Sequence, residues 1–299
     1  MEKDFFVGID GGGSKTHLRL ETSDGKVLAE TFSGPGNIRL SIETTYQSID
    51  YALNKALEKS KLINKSDIRI HAGIGVAGFE VPSAREGFLQ RKNKFNFASL
   101  VVQSDAYIAC LGAHAGKPGS VIIVGTGVVG LKIDRNAKRQ VGGWGFPHGD
   151  EGGAAWLGLE SIRMLLYFCD GRGEGSPLLK YLKQKFKGRV EEITQWACYA
   201  NASQFAEIAR DVFKFADKGD ELAIQLLKLS AKHIEKIILA LDEKEKNKDK
   251  LPFVLFGGVA PFILEFLKPS LKKRLAKPQG DACDGALLMI RKNINHNNK

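Results

Sequence analysis

The chain has 299 residues, of which 43% are hydrophobic and 26% charged. This is the composition of a globular protein with room for two domains of ordinary size. Its apolar runs are all shorter than the ~20 residues of a membrane-spanning helix. The first of them, Phe5–Ile9, is too short for a signal peptide and ends at Asp10. We therefore expect a cytoplasmic protein without a membrane partner.

The charge is strongly basic, with 44 basic and 34 acidic residues and a formal net charge of +10. Such a balance requires nucleic-acid binding to be considered. Much of the excess lies in Lys244–Lys250 and in a second group near the C-terminus, Lys268, Lys272, Lys273, Arg274 and Lys277. No aromatic residues that could stack on bases are interleaved with either group. We predict a solvated loop and helix face, no nucleic-acid partner, and a mild field that attracts small anions.

The four cysteines are widely scattered along the chain, at Cys110, Cys169, Cys198 and Cys283. No two of them have the spacing of metal ligands. This pattern predicts free, mostly buried thiols in a reducing compartment.

The first half of the chain reads as strands separated by glycine turns. An apolar strand, Phe5–Ile9, runs into the turn Asp10–Ser14, and alternation resumes in Thr16–Glu21. A third strand is predicted near Lys26–Thr31. Apolar residues at helical spacing then predict a helix over Ser41–Ser60, with its first residue as the N-cap. Two further strands, Ile70–Val76 and Leu100–Gln103, end at Gly78 and at Ser104-Asp105.

The second half repeats this order. A strand, Ser120–Val124, runs into Gly125-Thr126-Gly127, and alternation resumes in Val129–Ile133. Another strand near Lys138–Gly142 and a helix over Ala154–Phe168 follow. Residues 176–241 read as helices, and a last strand, 253–256, runs into Gly257-Gly258. The repeat predicts two similar α/β lobes with a hinge near residues 112–120 and a cleft between them, where ligands usually bind.

The glycine turns themselves indicate phosphate binding. A backbone that brings several N–H groups onto phosphate oxygens leaves no room for Cβ atoms. Asp10 beside such a turn suits Mg²⁺, held through water. Ser14 and Thr16 could add hydroxyl donors. A single turn of this kind is more often a tight hairpin, but its recurrence in both repeats and at Gly257-Gly258 favours phosphate.

Two motif matches fail on their context. Residues 125–130 fit the dinucleotide fingerprint GxGxxG, which must open a helix. Residues 13–16 are similar to a P-loop but lack its Gly-Lys-Ser/Thr order. In both places a strand is predicted to follow, so neither motif applies.

Taken in order, the motifs resemble the N-acetylglucosamine and glucosamine kinases, a BadF/BadG/BcrA/BcrD-type ATPase family in the actin/hexokinase/Hsp70-like superfamily. The residues that carry the resemblance are Asp10–Thr16, Gly36-Asn37-Ile38, Gly73–Gly78, Asp105-Ala106-Tyr107, Leu111–His114, Gly125–Gly127, Gly142–Gly145, Gly149–Gly152, Phe256–Gly258, Lys277–Gln279, Asp281 and Gly285-Ala286.

The resemblance implies two ribonuclease-H-like lobes that close on ATP, Mg²⁺ and a sugar, in a protein that is a homodimer. The N-terminal lobe would be residues 1–115, with the last helix, 283–295, packed back on it. The C-terminal lobe would be residues 116–282, with a helical insertion at about 170–241.

The resemblance also implies roles for individual residues. Asp105 would be the catalytic base and contact the sugar, although on its own it could equally be a helix cap. The first phosphate and Mg²⁺ motif would be Asp10, Gly12, Gly13, Ser14, Lys15 and Thr16. The second phosphate turn would be Gly125, Thr126 and Gly127, and the adenosine turn Gly257 and Gly258. The sugar would be held by Asn37, Gly143, Trp144 and Asp150.

Some assignments in the second half stay open. Trp144 is either a core aromatic or a wall of the sugar pocket, and Asp150 would combine its sugar contact with capping the next helix. His148 has no second metal ligand nearby. The family usually continues its second phosphate turn with Ser and often Asn. Here Val128 and Val129 stand instead, so two polar contacts are missing.

Three classes of function follow. The first is an ATP-dependent kinase acting on the 6-hydroxyl of an amino sugar, N-acetylglucosamine ahead of glucosamine. The second is an ATPase that activates a dehydratase, which would need cysteines for an iron–sulfur cluster in a pattern that the sequence does not show. The third is a sugar or nucleotide sensor without catalysis, which the two valines favour.

Overall fold

A computed structural model describes residues 2–63, 65, 67–135, 137–242 and 250–297. The chain forms two compact units. The first comprises Met1–Gly119, Lys132–Lys138 and Lys277–Lys299, and the second comprises Ser120–Leu131 and Arg139–Ala276. Each unit is described separately below.

The strands follow the predicted order. The strands are β1 (Lys3–Gly11), β2 (Thr16–Thr22), β3 (Val27–Ser33), β4 (Ile68–Val76), β5 (Ser99–Ser104), β6 (Gly119–Val124), β7 (Val128–Asp134), β8 (Ala137–Gly142) and β9 (Phe253–Phe256). The helices are α1 (Ile42–Lys59), α2 (Pro82–Leu89), α3 (Asp105–Ala113), α4 (Ala154–Cys169), α5 (Pro177–Lys185), α6 (Val190–Tyr199), α7 (Ala202–Asp217), α8 (Glu221–Asp242), α9 (Ala260–Ile263), α10 (Pro269–Lys272) and α11 (Ala282–Asn297). Short 3₁₀ helices lie at Lys92–Phe95 and Leu264–Phe266.

The two sheets repeat one strand order. The first is β3-β2-β1-β4-β5, in which β2 is antiparallel to both β1 and β3, while β1, β4 and β5 are parallel. The second is β8-β7-β6-β9, in which β6 and β9 are parallel. In each sheet the first strand of the repeat lies between the second strand and a later parallel strand. The structure therefore confirms the duplicated α/β architecture.

Local signals located the elements correctly. The hydroxyl of Ser41 accepts a hydrogen bond from the Thr44 amide and caps α1 as predicted. β7 begins at Val128, directly after the glycine turn. Because a strand and not a helix follows, the dinucleotide fingerprint is correctly rejected.

The first sheet has helices on both faces. Phe5, Val7 and Ile9 alternate along β1 and lie in a buried cluster with residues of α1. Phe6 points the other way and packs against Leu287 of α11.

The close approach of α11 to β4 and α3 depends on glycines. A Cβ at Gly73 of β4 would lie 2.8 Å from the carbonyl carbon of Ala286, and one at Gly112 of α3 would lie 2.8 Å from that of Asp281. A Cβ at Gly285 would lie 2.6 Å from the Gly112 amide nitrogen. Such separations do not occur for real side chains, so only glycine lets α11 pack here.

The second unit is built around helices α4–α8, whose apolar faces form one cluster with residues of β6 and β9. The second basic group is only partly a solvated face. Arg274 is half-buried, and its guanidinium binds both carboxylate oxygens of Asp242 at 2.7 and 2.9 Å. The first basic group, Lys244–Lys250, lies outside the described residues except for Lys250.

Two other features bear on the sequence predictions. All four cysteines are free; Cys110 and Cys283 are buried, Cys169 is half-buried, and Cys198 is exposed. Within the described ranges, no helix has both the length and the apolar character to cross a bilayer.

Candidate active site

In the first unit, candidate residues lie at the carboxyl edge of the sheet. Asp10 is the next-to-last residue of β1. It is in register with Gly75 of β4, which in turn is in register with Gln103 of β5. Asp105 follows β5 and is the first residue of α3. Since parallel strands end at the same edge of a sheet, the two aspartates share that edge, with β4 between their strands.

The turn after Asp10 is held by backbone hydrogen bonds. The Gly12 amide donates to the Lys15 carbonyl at 2.9 Å. Gly13, Ser14 and Lys15 are exposed, and a Cβ at Gly13 would meet no other atom within 4 Å. The turn is therefore open to a ligand. Thr16 differs, because it is fully buried and its hydroxyl has no hydrogen-bond partner within the described part of the chain.

Asn37 lies at the same edge. It forms an isolated parallel bridge with Ala77, whose amide donates to the Gly11 carbonyl at 2.8 Å. The Asn37 side-chain oxygen accepts from the Arg39 amide at 3.0 Å. The first unit thus brings Asn37 to the edge that carries Asp10 and Asp105.

Both aspartates have raised proton affinity. Burial, together with the negative charges of Asp105 and Asp281, raises the pKa of Asp10 to about 7, against a smaller opposing effect of Lys15. Burial also raises the pKa of Asp105, although the Ala106 amide donates to its Oδ1 at 2.8 Å. The Asp105 helix is capped by Ser104, whose hydroxyl accepts from the Tyr107 amide. The N-cap of α3 is therefore Ser104 and not Asp105.

Asp281 is a third carboxylate that acts on Asp10, and it was absent from the predicted site residues. Arg19 of β2 donates to both of its oxygens at 3.1 and 2.7 Å and also binds Asp284. Burial by itself would raise the pKa of Asp281, but the Asp284 amide and Arg19 hold it below its ordinary value. It was among the residues of the family resemblance, which was the available signal.

In the second unit, two glycine turns meet at the carboxyl ends of β6 and β9. The Gly125 amide donates to the Gly127 carbonyl at 2.9 Å, and the Ala154 amide of α4 donates to Gly125. Gly257 has a φ of +98°, and a Cβ there would lie 3.0 Å from the Gly125 amide nitrogen. Cβ atoms at Gly125 and Gly258 would meet nothing within 4 Å. The turns are packed together, yet each keeps one open face.

Asp150 lies over the first of these turns. It has a φ of +64°, and its carboxylate contacts Gly127 while Oδ1 accepts from the Gly145 amide at 3.4 Å. The N-cap of α4 is Gly153. The prediction that Asp150 caps this helix was therefore wrong, because its positive φ turns the chain four residues before the helix begins at Ala154.

Trp144 and His148 precede Asp150 in the same loop. Trp144 is 72% exposed, so its interpretation as a core aromatic was wrong. A ring nitrogen of His148 lies 3.1 Å from the Trp144 carbonyl. Within the described ranges, no group of three His, Cys, Asp or Glu side chains is arranged to hold a metal ion.

The two valines after the turn differ in their surroundings. Val128 is 2% exposed and belongs to the apolar core of the unit. Val129 is half-buried, and its Cγ2 would lie 3.1 Å from a Cβ at Gly143. Gly143 has a φ of +78° and its amide donates to the Val128 carbonyl at 2.8 Å. Of these two valines, Val128 therefore contacts the Gly143 loop through its backbone, whereas Val129 borders the loop with its side chain.

The repeated sheets with glycine turns at their carboxyl edges define an α/β protein with the fold of actin-like ATPases and ROK-type hexokinases. A ROK-family glucokinase of Streptomyces griseus shares this fold, with a TM-score of 0.58, 17% identity and coverage of 97% of this chain and 99% of that one. Residues 7–288 match the BadF/BadG/BcrA/BcrD ATPase family, and the chain belongs to that family.

Relatives that are similar in sequence are named as amino-sugar kinases. The chain is 34% identical to the glucosamine kinase of Vibrio cholerae, over 96% of both chains. It is 28% identical to an N-acetylmuramic acid/N-acetylglucosamine kinase of Clostridium acetobutylicum, over 96% of this chain and 98% of that one. A Chromobacterium violaceum structure described as a candidate N-acetylglucosamine kinase has a TM-score of 0.86 and 32% identity, over 97% of this chain and 99% of that one.

Proposed function

We propose that the protein is an ATP-dependent kinase that phosphorylates the 6-hydroxyl of an amino sugar. The observation that carries the proposal is the pair Asp10 and Asp105, two carboxylates of raised pKa at one sheet edge. Perturbed carboxylates beside an open glycine turn are typical of a catalytic site. The amino-sugar kinases among the relatives support the choice of reaction.

Mg²⁺ fits the surroundings of Asp10. The negative charges of Asp105 and Asp281 raise the pKa of Asp10, and Lys15 opposes this effect only in part. A divalent ion would supply the positive charge that compensates these carboxylates. Mg²⁺ bound to phosphates keeps several waters and uses one or two carboxylates. We propose that Asp10 holds the ion through water, beside phosphates bound at the turn that contains Gly12 and Gly13. The ion would neutralise charge on the transferred phosphoryl group.

The second unit offers open glycine faces to a nucleotide. A side chain at Gly125 or Gly258 would fill space that the protein itself leaves empty. Backbone amides at such turns bind phosphate oxygens without the obstruction of a Cβ atom. We propose that Gly125–Gly127 contact phosphates and that Gly257-Gly258 lies against the nucleoside. Ser14, Lys15 and Thr16 remain predicted contacts of the first turn, of which Thr16 is buried in this structure.

Asp105 is the proposed base. The Ala106 amide fixes its Oδ1, which leaves the carboxylate oriented at the end of β5 to accept the proton of the attacking hydroxyl. Its raised pKa places proton transfer nearer to neutral pH than that of an ordinary aspartate. Phosphoryl transfer otherwise depends on positioning and charge neutralisation.

The sugar would be oriented by Asn37, Gly143, Trp144 and Asp150. We propose N-acetylglucosamine as the substrate, because the apolar side chain of Val129 borders the Gly143 loop and suits the methyl of an acetamide. Glucosamine is the second candidate, favoured by the 34% identity to a glucosamine kinase. A homodimer located in the cytoplasm completes the proposal.

A coupled ADP-release assay against a panel of hexoses and amino sugars tests the function, with mass spectrometry locating the phosphate on the product. We expect rapid turnover with an amino sugar and much slower turnover with neutral hexoses. Sugar binding without ADP release would instead identify a sensor. Bound iron in protein purified without oxygen, with no sugar-dependent turnover, would identify a dehydratase activator.

A further inference from the structure

A groove of about 610 Å³ lies in the second unit, next to the proposed nucleotide turns. Its walls come from α7, α8 and the short helix α9. The groove begins at Pro261, three residues after Gly258, and that glycine turn packs directly on the start of the Gly125 turn. A nucleotide with its phosphates at these turns therefore has the groove within reach of its base.

Stacked phenylalanines form the apolar wall of this groove. The rings of Phe213 and Phe262 are parallel, with centroids 3.9 Å apart and an interplanar angle of 3°. Phe262 is 40% exposed, although it is a large apolar side chain on a short helix. Phe266 lies on the same wall, with the Lys228 ammonium 6.0 Å from its ring centroid. Flat, rigid apolar surface of this kind suits a heteroaromatic base.

The polar side chains that line the groove are charged. Its charged side chains, Lys214, Asp217, Lys228 and Glu265, are all exposed. None of these four side chains is a buried donor or acceptor. Exchanging one purine base for another would therefore leave none of them buried and unpaired. A site rejects an analogue strongly only when it contains such groups, and an apolar site discriminates weakly.

We propose that the Phe213–Phe262 wall binds the base of the phosphoryl donor by stacking and apolar contact, so that the kinase accepts purine nucleoside triphosphates with little selectivity. This inference rests on the proposed kinase function and adds the class of its donor. The base contributes binding energy through its ring faces, which adenine, guanine and hypoxanthine share. The exocyclic groups that distinguish these bases would point to solvent or to exposed side chains.

The donor panel consists of ATP, GTP and ITP, each with Mg²⁺ and saturating amino sugar. We expect kcat/KM for GTP and ITP within about tenfold of the value for ATP, against the 10⁴-fold or greater rejection of a site built to hydrogen-bond one base. Phe262→Leu keeps an apolar side chain but removes the ring. It should raise KM for all three donors by about tenfold with little change in kcat, because stacking on an aromatic ring is worth about that factor.

Direct binding keeps this test separate from the kinase reaction. Calorimetry with the non-hydrolysable analogues of ATP and GTP, without sugar, should show similar affinities for wild type and a parallel loss for Phe262→Leu. Tyr199→Leu, at an 85% exposed ring on α6, is the matched aromatic control and should leave nucleotide binding unchanged. A preference for ATP over GTP or ITP of clearly more than tenfold, or unchanged nucleotide affinity in Phe262→Leu, would overturn the inference. Nucleotide binding without sugar-dependent turnover would instead contradict the proposed function.

Discussion

The carboxylate of Asp150 lies directly against Gly127: a Cβ at that glycine would come within 2.7 Å of Asp150 Cγ. The second glycine turn and the loop that carries Asp150 are therefore fitted to each other through the absence of one side chain. Gly125, two residues earlier in the same turn, has nothing within 4 Å of its Cβ position. Two glycines of one turn thus face different neighbours, one of them protein and the other solvent.

This contrast gives a matched pair of variants. Gly127→Ala should displace Asp150, lower the thermal midpoint of the ligand-free protein and reduce turnover. Gly125→Ala should leave the thermal midpoint within a few degrees of wild type. If phosphate occupies the open face, Gly125→Ala should nevertheless weaken ATP binding by about tenfold or more. Unaltered ATP affinity in Gly125→Ala, measured by calorimetry, would show that the turn is only a hairpin.

Asp105→Asn tests the base. The substitution keeps shape and hydrogen bonding but cannot accept a proton, so turnover should fall by roughly 10²-fold or more while ATP and sugar binding remain. The control is Ser104→Ala, which removes the cap of the same helix and should cost about 1 kcal/mol of stability. Its turnover should stay near that of wild type at a temperature well below unfolding. Equal losses in the two variants would indicate a structural role for Asp105.

The raised pKa of Asp10 predicts how stability depends on pH. A carboxyl with a folded-state pKa of about 7, against 3.8 as the reference value, is favoured as the neutral form in the folded protein. Its contribution to the free energy of unfolding is therefore lost as pH rises from about 4 to about 7. Asp10→Asn removes this effect, so its thermal midpoint should exceed that of wild type by more at pH 8 than at pH 5.

Excess Mg²⁺ with a nucleotide provides the second arm of the same experiment. If Asp10 holds the ion, the ligands should stabilise wild type more strongly at pH 8, where the carboxylate is ionised, than at pH 5. The stabilisation by Mg²⁺-nucleotide over metal-free nucleotide should be reduced in Asp10→Asn. If the difference in thermal midpoint between Asp10→Asn and wild type does not change with pH, the raised pKa of Asp10 is contradicted.

The sequence predicted the elements that local patterns specify. Apolar runs and alternation located β1 and the other strands to within a few residues, and Ser41 was correctly predicted to cap its helix. Both signals depend only on neighbouring residues. Asp281 shows the limit of this reasoning. It follows Asp10 by 271 residues and reaches its vicinity only because glycines such as Gly73 and Gly112 let α11 pack closely. A helical periodicity does not show such a contact.

Asp150 shows a second limit. Its position before a helix predicted a cap, but its φ of +64° directs the side chain toward Gly127 instead. A left-handed conformation is uncommon for residues other than glycine, and aspartate is among those that adopt it. The sequence therefore allowed this geometry without specifying it.

Val129 provides the test of substrate choice. Val128 and Val129 are adjacent, but Val128 is buried in the core while Val129 borders Gly143. Threonine has nearly the shape of valine and replaces one methyl by a hydroxyl. Val128→Thr should lower the thermal midpoint, because it buries a hydroxyl at a cost of about 1–3 kcal/mol, and leave the preference between sugars unchanged. Val129→Thr should do the reverse.

The expected preference follows from the chemistry of the two sugars. N-Acetylglucosamine carries a methyl that the Val129 side chain can cover, whereas glucosamine carries an ammonium that an apolar wall disfavours. One buried methyl is worth about 0.8 kcal/mol, or about fourfold in affinity. We therefore expect wild type to prefer N-acetylglucosamine by a modest factor, and Val129→Thr to shift the ratio of kcat/KM values toward glucosamine by a few-fold. Specificity constants for both sugars at saturating ATP decide the matter. A tenfold or greater preference of wild type for glucosamine would overturn the choice of N-acetylglucosamine but not the assignment as a kinase. An unchanged ratio of kcat/KM values in Val129→Thr would place Val129 away from the acetamide.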